Sequence, residues 1–150
     1  FIEWKLQYFH HSAAALSTEA ILSILTCILV IFAFLHLVKN NRASAHVILF
    51  LLFAIQVINA FYHIFFSFYF SDFSPGAITA VLLYLPVNFL IVQAAFKEGY
   101  LDSYFEFGCI AFLGTTTFIL FEIFGPIIIV AAIVFSLIYF VWFNKQISSS

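Results

Sequence analysis

Gln56, Asn59 and His63 follow the spacing i, i+3, i+7, so on a helix their side chains share one narrow strip of surface. Imidazole is the commonest side-chain metal ligand and the usual general base near neutral pH. An asparagine one turn from it would orient the ring or hold a substrate carbonyl. Around the strip the sequence is apolar. Amide and imidazole groups are costly in hydrocarbon unless they find partners, so the strip must face protein or a wet cavity. Polar groups at such depth mark a functional site as the first hypothesis.

Glu122 is the natural second member: it stands in a run of Phe and Ile where a lipid-facing charge would be expensive, so it either faces the bundle interior or snorkels outward past Gly125. Together His63 and Glu122 would supply a divalent-metal or acid–base pair, with Asn59 orienting and Gln56 contacting substrate. Glu19 would complete the same pair, but Ser17 and Thr18 precede it and favour a role at a helix start, where a carboxylate suits the dipole. The plainer alternative makes Gln56, Asn59 and His63 interhelical glue, worth about 1 kcal/mol each. His36 and His46 flank a short loop; they read as interfacial residues in preference to haem ligands. Thr115, Thr116 and Thr117 are expected to bond back to their own helix. GxSxG, HExxH, P-loop and GxGxxG patterns are missing, so nucleophilic serine catalysis and nucleotide binding have no sequence support.

The elements that carry these residues follow from composition. Of 150 residues, 65% are hydrophobic and 8% charged, and mean hydropathy is +1.17. A soluble domain carries roughly a quarter charged residues, so this is an integral membrane protein. The 23 Phe residues suit a lipid-facing surface. Net charge is −2 with no basic run, which excludes nucleic acid as a partner. Cys27 and Cys109 stand apart in apolar segments and read as isolated thiols.

Five apolar segments are predicted to span the membrane as an all-α bundle. They run from about Glu19 to Val38, Ala45 to Phe70, the Ser74-Pro75 helix start to Phe96, Tyr104 to Phe124, and Pro126 to Phe143. Ser74 suits the N-cap and Pro75 the first helical position. Pro86 is expected to kink the third helix unless neighbours satisfy the freed carbonyl. Lys39, Arg42, Lys97 and Lys145 fall on one side and Lys5 on the other, which places the N-terminus outside and the C-terminus inside. Residues 1–18 read as an interfacial segment, 19–146 as the transmembrane domain and 147–150 as a disordered tail. With no Met and Phe1 at its start, the chain is expected to lack an N-terminal piece.

The run Asn59-Ala60-Phe61-Tyr62-His63, then Ser74-Pro75-Gly76-Ala77-Ile78-Thr79 and Leu85-Pro86, resembles the bacterial HxxEE-domain membrane proteins. The likeness covers roughly residues 55–100. It singles out Asn59, His63 and Thr79 and implies a small polytopic protein of the bacterial inner membrane with a His/Glu site. The family's His-x-x-Glu-Glu motif would map to Phe1-Ile2-Glu3-Trp4, with its His before Phe1 and Trp4 replacing the second Glu. The expected function is an outward-opening polar pocket of Gln56, Asn59, His63 and Glu122, with Thr79 as a further contact. It would bind or process a lipid-like substrate. A non-enzymatic accessory subunit that binds another membrane protein or a lipid is the alternative.

Overall fold

The computed structural model describes residues 18–71 and 75–148, and within them the structure is helical with short turns and no strand. Five helices appear in the expected order. They are α1 (Thr18–Lys39), α2 (Arg42–Tyr69), α3 (residues 75–97), α4 (Tyr104–Phe124) and α5 (Ile127–Ser148). Four of them, α2 to α5, contain stretches long and apolar enough to cross a membrane, while the apolar stretch Ser23–Lys39 of α1 is shorter. The interfacial segment expected at residues 1–18 lies outside the described residues except for Thr18. The Glu3/Trp4 correspondence, the Ser74 cap and the Glu19 side chain lie outside them too. At the other end α5 runs to Ser148, so the first two residues of the expected tail are helical.

Each boundary has a local cause. Asn40 enters the left-handed region (φ 47°) and its N–H closes α1 on the His36 carbonyl at 2.7 Å. Asn41 is extended and accepts the Ser44 N–H, which caps α2. Ser103 caps α4 by accepting the Glu106 N–H at 3.1 Å. Gly125, at φ 75° and ψ −153°, occupies backbone space that only glycine takes without strain, and Pro126 then starts the return into α5.

Two helices are locally unwound. α2 has a π-helical turn at Phe53–Val57, and α3 has one at Ala80–Tyr84, just ahead of Pro86. In α3 the Leu85 N–H bonds to the Ala80 carbonyl, five residues back, so the disturbance expected at Pro86 takes the form of a π turn.

α2 is the central helix and touches each of the other four. Its first half is almost wholly buried, with Val47, Leu49 and Leu51 packed among Phe32 of α1, Ala95 of α3, Ile110 of α4 and Ala132 of α5. The outside is apolar too: Leu37 is 80% exposed, Leu82 74% and Phe112 70%. An apolar exterior around an apolar core suits hydrocarbon as the surrounding solvent. α4 approaches α2 most closely at Gly114. A Cβ there would lie 2.5 Å from Phe53 Cβ and 3.0 Å from the Phe50 carbonyl oxygen. The α1–α2 loop, the α3–α4 loop and the last turn of α5 meet at one end, tied by Asn41 to Asn144 and by Arg42 to Asp102. Lys39, Arg42, Lys97 and Lys145 all belong to this basic end.

Candidate functional site

The predicted strip breaks at Gln56, while Asn59 and His63, four residues apart in the regular helix beyond, keep a common face. The π turn in α2 inserts the equivalent of one extra residue, which rotates the helix faces on its two sides by roughly 100° relative to each other. Gln56 lies inside that turn and faces α3, where its Oε1 accepts a hydrogen bond from Asn88 Nδ2 at 3.0 Å. Asn88 is 4% exposed, and the same Nδ2 also donates to the Tyr84 carbonyl at 2.7 Å.

Asn59, beyond the π turn, faces elsewhere. It lines a cavity of about 210 Å³ between α1, α2, α4 and α5, and Glu122 and Thr117 line the same cavity. The remaining walls are apolar, Leu25, Ile55 and Phe118 among them. Glu122 is 7% exposed, so of the two orientations open to it, inward or toward lipid, it takes the inward one. The Tyr62 phenol stands within electrostatic reach of this carboxylate and packs its ring against Phe118. His63 is half-buried and does not line the cavity, and Thr79 belongs to α3, which contributes nothing to it. The structure therefore unites Asn59 with Glu122, keeps His63 on the Asn59 face of α2 one turn beyond the cavity, and sends Gln56 toward α3, the helix that carries Thr79. Among the described residues no three His, Cys, Asp or Glu side chains converge as a metal site would require.

A second polar centre, at the basic end, was not expected. His46 reads in sequence as an interfacial residue, yet it is 2% exposed. Burial follows from its place in the first, innermost half of α2. Its Nε2 lies 2.7 Å from the Tyr100 carbonyl oxygen, which can only accept, so Nε2 carries the proton. Nδ1 then accepts from the Tyr139 hydroxyl at 2.7 Å. Arg42 binds Glu106 through one nitrogen at 2.5 and 2.7 Å and binds Asp102 through another. Glu106 Oε1 is also 3.5 Å from His46 Nε2. Nearby, His36 Nδ1 donates to Ser44 Oγ at 2.8 Å, and Ser44 donates to the Asn41 carbonyl. Both ring nitrogens of His46 and Nδ1 of His36 are thus hydrogen-bonded within the protein.

Two sequence signals point to this cluster. Ser103-x-x-Glu106 has the spacing of a capping box, and Glu106 does reach back, accepting the Asp102 N–H at 2.9 Å. Arg42 and His46 stand one turn apart on a helix. Thr115 and Thr117 bond to the carbonyls four residues back, as expected. Cys27 and Cys109 are free thiols on the outer surface of the bundle.

A family model described as a protein of unknown function with HXXEE motif matches residues 2–91. The matched region holds Glu3, His46, Gln56, Asn59, His63 and Thr79, and it ends before α4 and α5, which carry Glu106, Glu122 and Tyr139. No curated protein and no solved structure matches the chain. The match covers more than half of the 150 residues, and the chain belongs to the HXXEE family.

Proposed function

We propose that this chain is a five-span integral membrane protein that binds a lipid-like molecule in the cavity between α1, α2, α4 and α5. Glu122 would serve as the acid or hydrogen-bonding anchor and Asn59 as the orienting group. One observation carries the reading: a carboxylate only 7% exposed shares a cavity of about 210 Å³ with an amide, within apolar walls. Such a cavity, mostly apolar with a few convergent polar groups, is the usual form of a small-molecule site. The positive-inside rule supports a cytoplasmic basic end, with α2 rising from it toward the side where His63 lies. The proposed setting is a bacterial inner membrane.

A divalent metal would need ligands beyond Glu122, since among the described residues no sufficient set converges. Glu3, His10 and His11 of the N-terminal segment are the residue types that would add to it. The accessory-subunit reading has one observation in its favour, because the Gln56–Asn88 hydrogen bond is the interhelical glue it calls for.

Native mass spectrometry of the protein released from lipid nanodiscs tests the proposal, together with elemental analysis of the same sample. The expected result is a retained lipid-like ligand whose occupancy falls about tenfold in Glu122→Gln, the effect of one lost charge-assisted hydrogen bond. Equal occupancy in the parent and the variant would sink the binding role of Glu122. Stoichiometric metal that disappears in His63→Ala would restore the metal form of the site.

A further inference from the structure

A second cavity, of about 150 Å³, opens at the basic end, and the reading above makes no use of it. α4 lines it with Glu106, Cys109 and Leu113, α5 with Phe135 and Tyr139, and α2 closes the back with His46. From Glu106 to Leu113 is a rise of about 10 Å along the helix, so the cavity is elongated along the helix axis. Its main polar groups, the Glu106 carboxylate, the Tyr139 hydroxyl and the His46 ring, gather toward one extremity, near the exposed Asp102. Away from that extremity the lining is chiefly apolar. Leu113 is 43% exposed and Phe135 45%, so this part opens on the outer flank of the bundle.

The charge at the polar extremity selects a ligand class. Arg42 is shared between Asp102 and Glu106, one cation against two carboxylates. His46 counts as neutral, because a ring only 2% exposed is costly to charge. One negative charge is therefore in excess in this cluster, and Glu106 is the member of it that lines the cavity with its carboxylate, Arg42 and Asp102 standing behind it. A carboxylate or phosphate head would meet repulsion there, whereas a cation would meet attraction and acceptor oxygens.

We propose that this cavity binds a long-chain amine, its ammonium held by Glu106 and the Tyr139 oxygen and its chain lying along Cys109, Leu113 and Phe135. The amine would enter from the bilayer flank with its head at the level of Asp102, as an amphiphile lies in a leaflet. This site is separate from the Glu122 cavity and shares none of its lining residues.

The test uses the full chain in phosphatidylcholine nanodiscs, with a diazirine-bearing long-chain amine and its matched carboxylic acid as probes. Mass spectrometry maps the cross-links. Saturable labelling at the cavity border is expected, with the amine preferred over the acid about tenfold, the worth of one charge-assisted contact. Glu106→Gln should abolish that preference. Cys109→Trp should fill the mouth and remove the labelling, and Cys109 is exposed, so the bundle tolerates the larger ring. Cys27→Trp, at an exposed cysteine that does not line the cavity, should leave labelling unchanged. Equal labelling by amine and acid in the parent, or undiminished labelling of Cys109→Trp, would overturn the proposal.

Discussion

The basic end and the Glu122 cavity both hold a carboxylate inside an apolar bundle, but they do so in different company. At the basic end Glu106 sits against a guanidinium, a capping N–H and a histidine, and Arg42 spreads across Asp102 and Glu106. That network joins the α1–α2 loop to the α3–α4 loop and, through Tyr139, to α5. Around Glu122 the polar company is an amide, a threonine and a phenol set in aromatic and aliphatic walls. Charges tied into a network across three helices fix how those helices meet. A carboxylate beside open volume is placed to meet something that enters. The contrast gives Glu106 an architectural duty beside the ligand proposed for its cavity and gives Glu122 binding alone, and each half of it can be broken separately.

Arg42→Met should produce the largest loss. It strands Glu106 and Asp102 without their cation, and a half-buried pair broken on one side costs on the order of 3 kcal/mol. Thermal unfolding in a single mild detergent would register it. The double variant Arg42→Met/Glu106→Gln should recover part of the loss, because the stranded charge goes too. Losses that simply add would show that the network is not the unit described here.

Gly114→Ala comes next, at about 2 kcal/mol, the usual cost of overpacking a close contact. Gly114 lies midway along α4 between Glu106 and Glu122, and its added methyl would press on Phe53 Cβ and on α2 backbone. Because that contact sets the height of both carboxylates against α2, the variant should weaken ligand retention as well as stability. Retention unaffected by a destabilising Gly114→Ala would mean that the cavity does not depend on this packing.

Much of this was legible before the structure. Hydropathy marked five helices, because an apolar run ended by Asn, Gly, Pro or charge leaves few alternatives. The α4 boundaries at Tyr104 and Phe124 follow from Ser103 and from Gly125-Pro126. The inward orientation of Glu122 was one of two open outcomes, and α4, apolar all round, gives no amphipathic cue to decide it. Gln56 parts from the strip for one reason: a π turn shifts the phase of a helix, and no residue type in Phe53–Val57 announces one, whereas Asn59 and His63 lie together in the regular helix beyond it. The basic-end network was missed for another. Glu106 and Tyr139 are far in sequence from Arg42 and His46, and charged residues beside loops are usually solvated, so only tertiary packing reveals that His46 is buried.

Gln56→Leu should cost about 1 kcal/mol, the worth of a single interhelical hydrogen bond in a membrane. It removes the acceptor of the Asn88 amide, which keeps the Tyr84 carbonyl as its other partner. The cost should show in unfolding, while ligand occupancy stays at the parental level, since Gln56 does not line the Glu122 cavity. A loss of ligand in this variant would rejoin the strip that the π turn separates.

Glu122→Gln should be the mildest change to the fold and the most damaging to binding. The amide is nearly the same size, keeps hydrogen-bonding capacity and relieves the cavity of a charge that is costly to desolvate. Stability should therefore stay within about 1 kcal/mol of the parent, while the retained ligand is lost. The informative comparison is with Glu106→Gln, which leaves Arg42 one acceptor oxygen in place of two, removes the paired charge and should lower the unfolding midpoint clearly. Should Glu122→Gln destabilise the bundle as much as Glu106→Gln does, Glu122 would be a structural carboxylate like its counterpart, and the division between a carboxylate that fixes the fold and one that only binds would fail.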